Sequence, residues 1–144
     1  GGFAGLSLEH NASHLIRAVL EGVALNTRWL QKHLEENLGR PLKAVTVVGG
    51  GARSGLWCQI QADVLGRPVR QAEDPQMTNA RGAGISALVA LGLLTWSDVN
   101  PLVPIAKTWE PRAQYKSLFD ERFEQCLAEF KHRRSISRRF TGGH

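Results

Sequence analysis

The sequence predicts an α/β domain with a largely parallel sheet, and three observations carry that expectation. Short β-branched runs alternate with longer stretches of helical periodicity. The clearest run ends abruptly in three glycines and is followed at once by a helix pattern. Parallel neighbours need a crossover segment between them, and the intervening helices supply one.

The elements follow in order. The opening Gly1-Gly2-Phe3-Ala4-Gly5-Leu6-Ser7-Leu8 reads as a strand end or loop entering a helix, and no initiator methionine precedes it. From about Asn11 to Leu38, Leu15, Val19, Val23, Leu30 and Leu34 recur at helical spacing, flanked by Ile16, Leu20 and Ala24. Gly39 caps that helix and Pro41 ends it. Ala44 to Val48 is a buried-strand pattern, closed by Gly49-Gly50-Gly51. Leu56, Ile60, Val64 and Leu65 resume helical spacing until Gly66 and Pro68, and Pro68 to Gln71 is a second short strand beside the first. Thr78 to Leu91 is a helix whose Ala80, Ala83, Gly84 and Ala87 would let another backbone approach closely. Asp98 to Pro111, with three prolines, reads as a connection, and Arg112 to Lys131 as a last helix with Tyr115, Leu118, Phe119, Phe123, Leu127 and Phe130 on its apolar side. Two or three strands are fewer than a usual sheet holds. With the missing start, this leads us to expect a piece of something larger, truncated at its beginning.

The chain has 144 residues, of which 42% are hydrophobic and 22% charged, which is one globular domain and excludes disordered and fibrous classes. The net charge of +5 would suit nucleic acid, but all 13 acids lie at or before Glu129, whereas Lys131, Arg133, Arg134, Arg138 and Arg139 follow it. The expected domain of residues 1–130 is therefore neutral, and the excess belongs to a solvated basic tail, residues 131–144. No nucleic-acid partner is expected, because a groove-binding face would carry its bases across the fold. No apolar run approaches the roughly 20 residues a membrane span needs, so no membrane partner is expected either. Cys58 and Cys126 stand far apart without companions, which fits reduced thiols and a cytoplasmic location.

The glycine turn departs furthest from what packing alone requires. Three consecutive glycines remove every side chain between a strand's carboxyl end and a helix N-terminus, so a ligand can lie against the backbone. Strand carboxyl ends are where open α/β sheets bind ligands, and a helix N-terminus suits phosphate. Ser54 is placed to cap the following helix, its hydroxyl spent there or turned to ligand. No Lys-Ser or Lys-Thr follows, which excludes the P-loop. A dinucleotide fingerprint fits in part: Gly49 and Gly51 follow a strand, with Glu73 and Asp74 some 20 residues on, but Ser54 stands where the third glycine belongs.

These residues resemble the C-terminal, nucleotide-binding half of the FGGY carbohydrate kinases. Gly1-x-Phe3-x-Gly5-Leu6, seven residues, then His14-Leu15-x-x-Ala18-Val19-Leu20-Glu21 is similar to that family's second signature. The Gly49-Gly50-Gly51-Ala52-Arg53-Ser54 turn, Gln59, the Ala62 to Gly66 stretch, Pro68-Val69 and Gly82-Ala83-Gly84 follow in family order, so the likeness covers about residues 1–95. The resemblance implies a ribonuclease H-like, actin-like ATPase fold, and a parent enzyme that transfers the γ-phosphoryl of ATP to a sugar hydroxyl. It implies nucleotide contact at Gly49, Gly50 and Gly51, and base contact at Ser54, where relatives often have Asn. ATP and Mg²⁺ are the implied cofactors, the metal held mainly by the other domain. The family's catalytic Asp also belongs there, so no catalytic residue is expected in this chain, nor kinase activity from it alone. The Ala52 to Trp57 wording resembles bacterial xylulokinases, which makes a ketopentose the first expectation for the acceptor sugar. A homodimer is the protein partner that faces left bare by a missing half would favour.

Two other classes stay open on the residues themselves: a dinucleotide-binding module of an oxidoreductase, and a non-catalytic interaction domain. The remaining candidates favour bland roles. His10 and His14 share a helical face but have no evident third metal ligand; Arg17 and Glu21 form an intrahelical pair; Cys58 packs; Asp63 and Asp74 have no carboxylate partner for acid–base work. Arg53 could equally reach phosphate or stay solvated.

Overall fold

The fold was obtained as a computed structural model, which describes the backbone of residues 2–140 and the side chains of residues 2–133. In chain order it contains α1 (Ala12–Leu38), β1 (Val45–Val47), a 3₁₀ turn (Gly50–Arg53), α2 (Gly55–Leu65), β2 (Val69–Ala72), α3 (Thr78–Ala90), β3 (Ile105–Trp109) and α4 (Lys116–Phe140). Short 3₁₀ turns at Trp96–Asp98, Asn100–Leu102 and Ala113–Tyr115 join the later elements.

The helix ends obey local chemistry. Asn11 accepts the Ser13 and His14 N–H groups at the start of α1, and Gly39 closes it at φ 64°. Ser54 accepts the Trp57 N–H at the start of α2, and Gly66 closes that helix at φ 62°. The sheet order is β1-β2-β3. β1 and β2 are parallel, with Val45 opposite Val69 and Val47 opposite Gln71.

β3 corrects the sequence reading twice. The stretch from Asp98 to Pro111 is not a bare connection but contains a strand, and that strand is antiparallel to β2, so the sheet is mixed rather than largely parallel. Prolines at 101, 104 and 111 bracket Ile105–Trp109 without entering it, and four of its five side chains are exposed, which erases the alternation a strand would show. The last helix also starts later and runs further than expected, through Phe140, because no glycine or proline interrupts it. It therefore takes in the first ten residues of the expected tail; residues 141–144 lie outside the described ones.

α2 is the centre of the molecule. One side packs Ile60 and Val64 against Ala24 and Leu25 of α1 and Phe119 and Phe123 of α4. The other packs Cys58, Ala62 and Leu65 against Val69, with Val45, Val47 and Trp109 of the sheet around them. A helix apolar on both sides is a buried helix. Burying a side chain the size of Ile60 contributes about 1.5–3 kcal/mol. Two polar residues of α2, Gln61 and Asp63, are buried with it, and the Asp63 side chain is wholly so. Asp63 accepts Arg112 Nη2 at 2.6 Å, the Arg112 backbone N–H at 2.9 Å and Gln59 Nε2 at 2.9 Å, so the carboxylate is fully partnered and fixes the entry to α4.

α1 leaves much of its apolar stripe uncovered. Ala24 and Leu25 are buried, while Ile16, Val19, Val23, Leu30 and Leu34 are 44–63% exposed, and no described element covers that side. The small residues of α3 are likewise exposed, and Ile85 alone of that helix is buried. Among the described residues, no helix is long and apolar enough to cross a membrane.

Two predictions follow from this packing. A Cβ on Gly55 would come within 2.7 Å of Trp109 Cη2, and that ring is held by its N–H to Gln71 Oε1 at 3.1 Å with Lys107 Nζ 3.8 Å above it. Gly55→Ala should destabilise the fold by about 1–3 kcal/mol through overpacking, read as a lower urea midpoint; an unchanged midpoint would show that the ring is free to move. The second concerns Glu35. Burial works to raise its carboxyl, but the Leu42 N–H, Arg67 and Gln31 outweigh it and hold the group below its ordinary 4.5. A carboxyl with a depressed folded value stabilises fully above its unfolded value and loses that contribution as pH falls through the folded one. The stability advantage of the native chain over Glu35→Gln, about 1 kcal/mol at pH 7, should therefore persist down to about pH 4.5 and fade in more acid solution.

Candidate functional site

The candidate site lies at the carboxyl ends of β1 and β2. Val45 to Val47 lead into Gly49, which lies at φ 83° and ψ −177°, a conformation that glycine adopts without strain. Its N–H donates to the Pro75 carbonyl at 2.7 Å, joining the turn after β1 to the turn after β2. From beneath, Gln71 Nε2 donates to the Ala52 carbonyl at 2.7 Å, and Cys58 Sγ lies 3.5 Å from the same oxygen. Gln71 also accepts the Trp109 indole N–H, so β3 braces the turn through one amide side chain. Burial pushes the Cys58 thiol up from its ordinary value, which makes it a packing group rather than a nucleophile.

The upper surface is bare. A Cβ on Gly49 or Gly50 would meet no heavy atom within 4 Å. At Gly51 one would touch the Trp57 indole, with Nε1 at 3.4 Å, so that glycine also serves packing. Ala52 is buried, and Gly50, Gly51 and Ser54 are exposed. The turn coils as 3₁₀ from Gly50 to Arg53 and then breaks at Ser54, which is extended, before α2 begins; the glycines do not simply continue as α-helix. The Ser54 hydroxyl oxygen accepts the Trp57 N–H at 3.2 Å, so one of its lone pairs caps α2 and its proton remains to be donated. The four expected cofactor residues, Gly49, Gly50, Gly51 and Ser54, thus lie together at one end of the sheet.

Other sequence candidates take structural places. Arg17 Nε donates to Glu21 at 2.6 Å, and Arg122 of α4 joins the same carboxylate, tying two helices together. His10 Nδ1 accepts the Ser7 N–H and His14 Nδ1 the Asn11 N–H, so one nitrogen of each ring faces its own backbone. Among the described residues, no three His, Cys, Asp or Glu side chains cluster as metal ligands. Arg53, the last residue of the 3₁₀ turn, is exposed.

A larger pocket, about 530 Å³, lies elsewhere, between the C-terminal halves of α1 and α2 and the start of α4. Its charges are largely spent on one another: Arg112 with Asp63, Arg67 with Glu35, and Arg28 and Lys116 with Asp120. The Lys116 and Arg28 hydrogen bonds hold the Asp120 carboxyl below its usual range. Lys116 and Asp120 are i,i+4 neighbours on α4, but the other three pairs, like the Gln71 brace, are long-range and left no local signal in the sequence.

Residues 1–91 match the model of the C-terminal domain of the FGGY family of carbohydrate kinases. A glycerol kinase of Aromatoleum aromaticum is 34% identical over 138 residues, covering 96% of this chain and 25% of that protein. A glycerol kinase of Gloeobacter violaceus is 38% identical over 109 residues, covering 74% and 21%. The crystal structure of xylulose kinase from Rhodospirillum rubrum superposes with a TM-score of 0.76 at 32% identity, over 94% of this chain and 28% of that one. The chain thus spans about a quarter of the length of the relatives it matches. Among these relatives the sequence matches are glycerol kinases, so the likeness is not confined to xylulokinases. With the family model covering residues 1–91 and the glycine turn in place, the chain belongs to the FGGY family of carbohydrate kinases.

Proposed function

We propose that this chain is the nucleotide-binding portion of an ATP-dependent sugar kinase, the part that holds the adenosine side of ATP while the γ-phosphoryl passes to a sugar hydroxyl. The observation that carries the reading is the side-chain-free surface over Gly49 and Gly50, fixed from below and open above. Residues Gly49 to Gly51 would hold the nucleotide by close backbone approach, with Ser54 at the edge of that surface. At the N-terminus of α2 the first N–H groups lack intrahelical partners and favour an anion. ATP supplies the phosphoryl group; the chain's contribution is to bind and orient it. Mg²⁺ would enter with the phosphates.

Phosphoryl transfer depends on positioning and charge neutralisation from several directions. The described residues supply one side only, so the 144-residue chain alone should not phosphorylate a sugar. The acceptor in the whole enzyme is proposed to be a polyol hydroxyl. A ketopentose is put forward first on the Ala52-Arg53-Ser54-Gly55-Leu56-Trp57 wording, with glycerol supported by the names of the sequence relatives.

Gly50 supplies the test, because a side chain there has room in the fold and its φ is not positive. In calorimetric titration with Mg-ADP, Gly50→Leu should weaken binding at least about tenfold, the equivalent of 1.4 kcal/mol, while its urea midpoint stays at the native value. Unaltered affinity in Gly50→Leu, or no binding by the native chain, would contradict the reading.

A further inference from the structure

The acids that follow the glycines by some 20 residues have no part in the site described so far, yet the topology brings one of them to it. β1 and β2 are parallel neighbours, so their carboxyl ends lie side by side. The glycine turn leaves the first strand there, and Asp74 follows the second by two residues. The Gly49 to Pro75 hydrogen bond fastens the two turns together.

Among the described residues Asp74 is the one non-glycine at positive φ, 45°, a region that aspartate tolerates better than most side chains. The Met77 N–H returns to the Asp74 carbonyl at 2.9 Å, which closes the turn ahead of α3. A pocket of about 240 Å³ opens at this point, lined by Arg53 of the glycine turn and by Asp74, Pro75, Gln76 and Met77. The Asp74 carboxylate makes no hydrogen bond or ion pair among the described residues, and Met77 is 59% exposed. Glu73, its neighbour, does not line the pocket.

We propose that Asp74 recognises the ribose of the bound nucleotide, its carboxylate accepting the vicinal hydroxyl protons, with the Met77 thioether as the apolar wall beside the sugar. This rests on the nucleotide reading above and adds a residue and a specificity to it. An ionised carboxylate only accepts hydrogen bonds, and a vicinal diol offers two donors to its two oxygens. A carboxylate repels phosphate, so it belongs at the sugar end, while the bare amides and the N-terminus of α2 suit the phosphate end. The volume agrees: about 240 Å³ is below the ~300–1,000 Å³ of a whole small-molecule site and suits a sugar rather than a complete nucleotide. Doubly wound folds place an acid at the end of a neighbouring strand for the same reason. Arg53, which lines the same pocket, would offset the carboxylate's charge.

Calorimetric titration of the 144-residue chain with ADP and with 2′,3′-dideoxy-ADP tests this, alongside Asp74→Gly, which removes the carboxylate and relieves the positive φ, and Asp74→Asn, which keeps the shape. The native chain should prefer ADP by about tenfold, Asp74→Gly should bind both equally at the dideoxy level, and Asp74→Asn should fall between. Equal binding of both nucleotides by the native chain, or a preference that survives in Asp74→Gly, overturns the ribose role and leaves the nucleotide reading standing. Binding of neither nucleotide by the native chain overturns both.

Discussion

The Gln71 amide ties the Ala52 carbonyl to the Trp109 indole, and with the Gly49 to Pro75 hydrogen bond it holds a stretch of backbone that has no side chains of its own to hold it. Glycine gives close approach at the cost of conformational entropy, so a bare turn keeps one shape only when its surroundings impose it. Here the imposition comes from below and from the side. β2 supplies the amide, β3 supplies the ring, and α2 supplies Cys58 and the Trp57 indole. The upper surface is left free because every constraint acts on the opposite one.

That arrangement explains why the edge strand matters. β3 buries little of its own surface, yet its Trp109 sits against Gly55 at the first residue of α2 and sends its N–H to Gln71. Asp63 performs a similar service further along α2, where its buried carboxylate holds Arg112 and the chain entering α4. α2 is thereby fixed at both ends and along both sides. Rigid elements under a loop are what allow a binding surface to be held within the tolerance that recognition requires.

Local chemistry was legible in the sequence, and long-range pairing was not. Asn11, Gly39, Ser54 and Gly66 announced the limits of two helices because capping is decided within a few residues. The glycine turn announced itself because three glycines after a β-branched run are more than a tight strand-to-helix turn needs. Ile105–Trp109 escaped because its burial does not alternate and prolines surround it. The Asp63–Arg112 pair, 49 positions apart, leaves no periodic mark at all. The spacing on α1 marked a helix but not its buried side, because a helix with apolar residues over much of its circumference does not say which side its neighbours choose. Asp74 was visible only as half of an imperfect dinucleotide pattern, and its place became clear once β1 and β2 proved to be adjacent and parallel.

The most direct measurement of the central claim is a backbone amide NMR titration of the 144-residue chain with Mg-ADP. The account predicts that the amides of Gly49, Gly50 and Gly51 move most, with smaller changes along the Asp74 to Met77 turn and none at the charged pocket around Arg28 and Lys116. Perturbations centred on that charged pocket, with the glycine amides unmoved, would contradict it.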